Sequence, residues 1–189
     1  MKQVDLSSLP QKLEKAVMPA SVLLSRAKVY NESARASYTM TDNRHFPFYY
    51  YLGQVVHPER VLQIGPYYGL SALCFMQACS TLSSWHVIGE RNTLVESNLR
   101  MFCRGSSMIV PFGSDLLGDY SPDMAVLGER YPRAETIEHL NFLWSKLEDG
   151  GLLVADYIST SDAFREFCRV KNRTPVSFNT RYSVGIVQK

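Results

Sequence analysis

The sequence has little excess charge of either sign and no long apolar run. Twenty Lys and Arg residues against 18 Asp and Glu residues leave a formal net charge of +2, so a polybasic nucleic-acid surface is not expected. No run is long enough to cross a bilayer, and Lys12, Glu14 and Lys15 interrupt the N-terminal segment where a signal peptide would be apolar. We therefore expect a cytoplasmic protein that binds neither nucleic acid nor membrane.

Cysteines are few and are not paired in a metal-binding spacing. The four cysteines are Cys74, Cys79, Cys103 and Cys168, without a C-x-x-C pair. Cys74 and Cys79 lie in or just after an apolar helical pattern, where a free thiol acts as a small hydrophobic group. We expect neither a structural zinc nor a disulfide.

Two common nucleotide-binding motifs are also missing. Counted from Gly65, Tyr67 and Leu70 stand where the second and third glycines of G-x-G-x-x-G belong, and no Gly-Lys-Ser/Thr follows. Nicotinamide cofactors and nucleoside triphosphates are therefore disfavoured.

What is present is an alternation of short apolar runs and helical patterns after residue 57. The runs RVLQIG, HVIGE, SMIVPFG, DMAVLG and LLVADYI are separated by segments with helical spacing, and VSFNT and YSVGIVQK form a closing antiparallel pair. This pattern predicts one compact α/β domain with a doubly wound, mostly parallel sheet. Residues 1–57 carry helical and aromatic segments that predict an N-terminal helical cap on the α/β core, residues 58–189.

The segment QIGPYYGLS follows the first predicted strand directly. In doubly wound sheets, ligands bind beyond the carboxyl ends of the strands, where a glycine turn lets backbone N–H groups approach them. Glu90 ends the second predicted strand, and its carboxylate is able to accept hydrogen bonds from both hydroxyls of a ribose. A nucleoside-containing ligand is therefore expected at this edge.

The order VLQIGPYYGLSA, HVIGE, VPFGSD, PDMAVLGERY and LEDGGLLVADY resembles the class I S-adenosylmethionine-dependent methyltransferases. It is most similar to the small-molecule O-methyltransferase branch, and the resemblance covers roughly residues 58–189. It implies a Rossmann-like fold of seven strands, six parallel and the last antiparallel. It also implies S-adenosyl-L-methionine as the cofactor and a small-molecule acceptor.

The resemblance implies roles for individual residues around the cofactor. Gly65, Tyr67 and Gly69 would wrap its amino-acid and ribose portions, and Ser71 would cap the next helix and face its carboxylate. Glu90 would hold the ribose hydroxyls. Arg91, Ser114 and Asp115 would lie against the adenine, and Leu127 to Glu129 would border the reacting methyl. Asp156 and Tyr157 would stand near the acceptor.

Two departures from the family pattern bear on cofactor and metal binding. Gln63 replaces the acidic residue that orients the methionine amine, and an amide accepts a hydrogen bond without supplying a countercharge. At the end of the fourth strand, LGERY places Leu127 and Arg130 where metal-dependent members have an acid and a histidine. Glu129 and Asp156 alone make a poor magnesium site, so no catalytic metal is expected.

The candidate proton acceptors are Asp156, Glu129, His45 and His139, and each has a structural alternative. Asp156 could cap the helix after strand five, and Glu129 could pair with Arg130 or Arg133. His139 fits a helix face, and His45 either reaches the pocket or packs.

The aromatic segment HFPFYYYLG either walls a substrate pocket or holds the N-terminal helices on the sheet. Two functions remain open: a methyltransferase, or a relative of that fold that has lost catalysis and has a binding or structural role. A homo-oligomer formed through the final strands or N-terminal helices is also compatible with the sequence.

Overall fold

The computed structural model describes residues 5–14, 45–66, 70–90, 95–96, 99–100, 105–180 and 183–189. The predictions for Tyr67, Gly69 and Arg91 lie outside these residues.

A single seven-stranded sheet forms the centre of the molecule. Its strands are β1 Arg60–Ile64, β2 Ser84–Ile88, β3 Ser106–Val110, β4 Met124–Leu127, β5 Leu152–Ala155, β6 Val176–Phe178 and β7 Val184–Gln188. The spatial order is β3-β2-β1-β4-β5-β7-β6. The pairs among β1 to β5 are parallel, whereas β7 runs antiparallel to both β5 and β6. The predicted doubly wound sheet with a reversed last strand is confirmed.

Helices cover both faces of the sheet because successive strand residues point to opposite sides. Among the described residues, the helices with defined bounds are α1 Leu9–Glu14, α2 His45–Val56, α3 Leu70–Ala78, α4 Arg133–Lys146 and α5 Ala163–Val170, with a 3-10 turn at Asp115–Leu117. Val61, Trp85 and Val126 pack with α1, α2 and α3 on one face. Leu62 and Leu127 pack with α4 and α5 on the other.

The aromatic segment forms helix α2, which packs closely on α3. A Cβ added at Gly53 would lie 2.7 Å from the carbonyl oxygen of Phe75, so the two helix backbones are nearly in contact there. Phe48 and Tyr49 are core residues, 5% and 0% exposed. For these two rings the structure supports the interpretation that they hold the helix on the sheet.

Buried Asp123 joins the amino ends of β1 and β4. One carboxylate oxygen accepts the backbone N–H of Glu59 at 2.8 Å, and the other accepts that of Arg60 at 2.9 Å. The Asp123 N–H in turn donates to the Arg60 carbonyl at 3.1 Å. These bonds fix the start of the central strands, and thereby the relative height of their carboxyl ends.

Of the helices in the described residues, none is both long enough and apolar enough to span a bilayer.

Candidate nucleoside cleft and adjoining buried polar cluster

A cleft of about 440 Å³ opens at the carboxyl ends of the central strands. Its described lining comes from the segments following β1, β2, β3 and β4 and from helix α4: Ile64, Gly65, Pro66, Ile88, Gly89, Glu90, Phe112, Glu129, Tyr131 and His139. This volume falls in the range of small-molecule sites, roughly 300–1,000 Å³. The edge predicted from the strand pattern therefore carries a cleft of suitable size.

Gly65 shapes the floor of this cleft. Its φ of +71° lies in the left-handed region, and a Cβ at this position would come within 2.6 Å of the Tyr131 hydroxyl. The turn after β4 approaches just as closely, because a Cβ at Gly128 would lie 2.5 Å from the Gly65 carbonyl oxygen. Only glycine fits at either position without displacing the neighbouring backbone or side chain.

Three rings form one wall of the cleft. The His139 ring centroid lies 4.9 Å from that of Phe112 and 4.5 Å from that of Tyr131. Burial lowers the pKa of His139 and outweighs the opposing charges of Glu138 and Glu135. The imidazole is therefore mainly neutral near pH 7, and the wall offers flat, uncharged surfaces to a planar ligand.

Sequence reasoning missed Phe112 and Tyr131 as cleft residues and treated His139 only as a base or a helix-face residue. Phe112 follows the end of β3 by two residues, and Tyr131 follows the end of β4 by four. An aromatic residue soon after a predicted parallel strand is the signal that would have found them, because that edge of the sheet binds ligands.

Glu129 stands at the junction of the cleft with a smaller hollow. The Tyr131 hydroxyl donates to its Oε2 at 3.3 Å. Burial raises the pKa of Tyr131 above its usual range, and the charge of Glu129 raises it further, so the phenol remains a donor. Arg133, one of the two arginines considered as partners of Glu129, pairs with Asp162 and Glu166.

The smaller hollow lies between the ends of β4 and β5 and holds at most one water, at about 10 Å³. Leu127, Glu129 and Asp156 are among its lining residues. Leu127 is otherwise a core residue at 1% exposure.

The structure brings two predicted catalytic residues together. His45 opens helix α2 and Asp156 follows β5 directly, and His45 Nε2 lies 3.3 Å from Asp156 Oδ2, an ion-pair distance longer than a short hydrogen bond. The Tyr49 hydroxyl donates to Asp156 Oδ1 at 2.9 Å. His45 Nε2 also lies 3.4 Å from the Ser71 hydroxyl oxygen. We call Tyr49, Asp156, His45 and Ser71 the buried polar cluster.

Burial keeps the Tyr49 phenol of this cluster protonated. The Asp156 side chain is 0% and the His45 side chain 5% exposed. Desolvation raises the pKa of Tyr49 well above its usual value, and the neighbouring Asp156 charge adds to the rise. Tyr49 is therefore a permanent hydrogen-bond donor to Asp156.

Two helix-cap assignments need correction. Asp156 does not cap the helix after strand five, because α5 begins at Ala163 and Asp156 instead bonds with α2. Ser71 lies inside the first turn of α3, which begins at Leu70, so it does not precede the helix as a cap residue.

Of three other predicted cofactor residues, Glu90 lines the cleft, whereas Ser114 and Asp115 do not appear in its described lining. Glu90 follows the end of β2 by two residues and lines the cleft with an exposed side chain. Ser114 caps the 3-10 turn by accepting the Leu116 N–H at 3.2 Å, and neither it nor Asp115 is among the described lining residues.

Gln63 is 1% exposed beneath the Gly65 turn. Its Oε1 accepts the Trp85 indole N–H at 3.0 Å, and its Nε2 donates to the Gly65 carbonyl at 3.4 Å. The amide therefore ties the turn to β2. An acid here would lose the donor to Gly65, so glutamine suits this particular packing.

At this edge Asp156 Oδ1 accepts the Tyr49 hydroxyl, and Asp156 Oδ2 lies 3.3 Å from His45 Nε2. A Cβ added at the neighbouring Gly128 would lie 2.5 Å from the Gly65 carbonyl oxygen. Among the described residues, no group of three or more His, Cys, Asp or Glu side chains is arranged to hold a metal ion.

Comparison with solved structures identifies the architecture. A methyltransferase from Geobacter sulfurreducens superposes with a TM-score of 0.68 at 17% identity, covering 100% of this chain and 99% of that one. The SAH-bound Podospora anserina methyltransferase PaMTH1 gives 0.66 at 10% identity, covering 94% and 92%. The Bacillus cereus O-methyltransferase in complex with SAH gives 0.64 at 14% identity, covering 96% and 97%.

These likenesses show that the chain has the Rossmann-like fold of the class I methyltransferases. At such low identity they establish the fold and not the activity. No protein-family model matches the chain, and no curated protein matches it in sequence.

Proposed function

We propose that the protein is an S-adenosylmethionine-dependent methyltransferase that modifies an oxygen or nitrogen of a small-molecule or side-chain acceptor without a catalytic metal. The observation that carries the proposal is the cleft beside Gly65, with an exposed carboxylate at Glu90 and the aromatic wall of Phe112, Tyr131 and His139. The structural neighbours PaMTH1 and the Bacillus cereus enzyme carry SAH, which supports the same ligand class here.

The cleft suits the nucleoside part of the cofactor. The resemblance implies that the Glu90 carboxylate accepts hydrogen bonds from the ribose hydroxyls, and its exposed position in the cleft supports this role. The neutral rings of His139 and Phe112 offer flat faces for adenine. Gly65 lines the cleft without adding a side chain to it.

When bound, S-adenosylmethionine supplies a methyl group on a positively charged sulfur, which becomes a neutral thioether as the acceptor's lone pair takes the methyl. The protein's contribution to such a displacement is mainly alignment and exclusion of water. A hydroxyl acceptor also loses a proton, so a base beside it assists.

We assign the role of proton acceptor to Glu129 in preference to Asp156 or His45. Glu129 lines the open cleft and is held by the Tyr131 hydroxyl, whereas Asp156 and His45 are buried against each other. A buried pair is suited to holding neighbouring groups in place, and the half-buried carboxylate is able to reach an acceptor.

Calorimetric titration with S-adenosylmethionine and S-adenosylhomocysteine tests the proposal. Binding with micromolar affinity is expected for both ligands, and Glu90→Ala should lose at least tenfold in affinity because hydrogen bonds to a charged group contribute about 1.5–3 kcal/mol. Glu59→Ala is the matched control, since Glu59 is also exposed and lies at the amino end of β1, away from the cleft. Absence of heat from the wild type would favour the non-catalytic alternative.

A further inference from the structure

The described lining of the cleft contains few polar side chains, and most of them already have a role. They belong to Glu90, Glu129, Tyr131 and His139. Under the proposed function Glu90 faces the ribose, and the Tyr131 hydroxyl donates to Glu129. Ser114 and Asp115, which the resemblance assigns to adenine, do not appear in this lining. Within the described lining, His139 is therefore the polar side chain that remains for the base.

The two ring nitrogens of His139 differ in their access to the cleft. Nδ1 is buried and has no hydrogen-bond partner in the described part of the chain. Nε2 also makes no hydrogen bond there, but it is not among the buried unpartnered atoms, so it is accessible. Because His139 lines the cleft, Nε2 is the nitrogen that a ligand in the cleft is able to reach.

This difference in access indicates which nitrogen carries the proton. Burial keeps the His139 imidazole mainly neutral near pH 7, so the ring has one N–H donor and one lone pair. A buried N–H without an acceptor is rarer in proteins than a buried acceptor without a donor. We therefore place the lone pair on the buried Nδ1 and the proton on the accessible Nε2.

Neighbouring rings hold the imidazole in place. The Phe112 and Tyr131 centroids lie 4.9 Å and 4.5 Å from that of His139, and the Tyr131 ring is nearly perpendicular to the imidazole, at 83°. Phe112 also packs against Phe142, three residues further along α4, at 5.0 Å. A side chain that is already packed on several sides loses little additional freedom when a ligand binds. The Nε2–H donor is therefore preorganised.

We propose, on the basis of the proposed function, that His139 is a specificity-determining residue whose Nε2–H donates a hydrogen bond to one ring nitrogen of adenine. Phe112, 42% exposed, supplies a stacking face beside it. The ring nitrogens of adenine that are not bonded to the ribose carry lone pairs and accept hydrogen bonds. Recognition of the base then comes from helix α4 instead of the turn that contains Ser114 and Asp115.

Analogues of S-adenosylhomocysteine that differ by one atom test this contact. The 1-deaza, 3-deaza and 7-deaza analogues each replace one ring nitrogen by C–H, which removes the acceptor and leaves the shape of the base almost unchanged. In calorimetry we expect the wild type to bind one of the three about threefold to tenfold more weakly than S-adenosylhomocysteine, the effect of one neutral hydrogen bond. The other two should bind within twofold of it.

Variants of His139 assign the discrimination to this residue. His139→Phe keeps an aromatic ring but has no donor, so it should bind S-adenosylhomocysteine and the sensitive analogue equally well. His139→Leu also lacks a donor and should give the same result, which guards against a folding defect in one variant. His139→Gln has an amide N–H₂ and should retain part of the discrimination. Glu138→Gln, at an exposed neighbouring position outside the described lining, is the matched control and should retain all of it.

The outcomes separate this inference from the proposed function. A wild type that does not bind S-adenosylhomocysteine overturns both. A wild type that binds S-adenosylhomocysteine and all three analogues within twofold overturns the inference alone. Discrimination that persists in His139→Phe or His139→Leu also overturns it, because another group then makes the contact. Discrimination that is lost in these two variants and kept in Glu138→Gln supports it.

Discussion

The Tyr131 hydroxyl lies directly over Gly65, so close that a Cβ on the glycine would be 2.6 Å from it. The same hydroxyl donates to Glu129, the proposed proton acceptor. The floor of the cleft and the orientation of the candidate base are therefore set by a single contact between the turns after β1 and β4.

Gly65→Ala should destabilise the protein by about 3 kcal/mol or more, from left-handed backbone strain plus the clash with Tyr131 and Glu129. Urea unfolding measures the loss. Gly150→Ala is the control, because its φ of +81° gives similar strain with nothing within 4 Å, and it should cost only about 1–2 kcal/mol. Equal losses at the two positions would show that the close contact at Gly65 has no energetic effect.

Asp123→Ala should cost about 2–4 kcal/mol, because the backbone N–H groups of Glu59 and Arg60 lose buried acceptors. Chemical denaturation measures the loss in unfolding free energy, and Asp119→Ala, at an exposed position, is the control for comparison. A loss within 0.5 kcal/mol of the control, roughly the range of surface substitutions, would rule out the anchoring role.

Acidification should destabilise the protein through two histidines. Burial lowers the pKa of both His86 and His139, so below about pH 6.5, the ordinary histidine value, the unfolded chain binds more protons than the folded one. The stability that the two neutral histidines contribute is fully present above that pH. It is lost as the pH falls toward their folded-state pKa values.

The contribution of these two residues is isolated by a double variant. Between pH 7.5 and 5.5, His86→Gln combined with His139→Gln should lose less stability than the wild type. If the double variant loses stability over this pH range as steeply as the wild type, the two histidines are not responsible.

The sheet was predictable because its strands are short, buried, apolar runs between helical patterns. The closing pair VSFNT and YSVGIVQK appears as β6 and β7, antiparallel as expected. Strand ends were less accurate, since Glu90 and Asp156 were included in apolar runs that end earlier. Hydrophobicity defines where a strand is buried but not the residue at which its ladder ends.

Helix α2 was harder to recognise. Its sequence, HFPFYYYLGQVV, has Pro47 and three consecutive tyrosines, both of which reduce helix propensity. Pro47 is tolerated because it occupies the first turn, where its missing N–H has no intrahelical partner. The helix is stabilised by tertiary packing of Phe48 and Tyr49, which local sequence does not reveal.

The buried polar cluster was predictable only as separate candidates. His45 and Asp156 were each recognised as possible proton acceptors, but their contact joins an N-terminal helix to the fifth strand. Such a pairing depends on how α2 lies across the sheet, and a single sequence contains no periodicity that reports it. The Tyr49 bond to Asp156 was missed for the same reason.

The central claim is that the cleft beside Gly65 receives the nucleoside of S-adenosylmethionine, and a crystal structure with S-adenosylhomocysteine tests it most directly. The account predicts adenosine density within the cleft, with ribose hydroxyls at hydrogen-bond distance from Glu90 and adenine against Phe112 and His139. Ligand bound elsewhere on the protein, or a cleft that stays empty at saturating ligand, would contradict it.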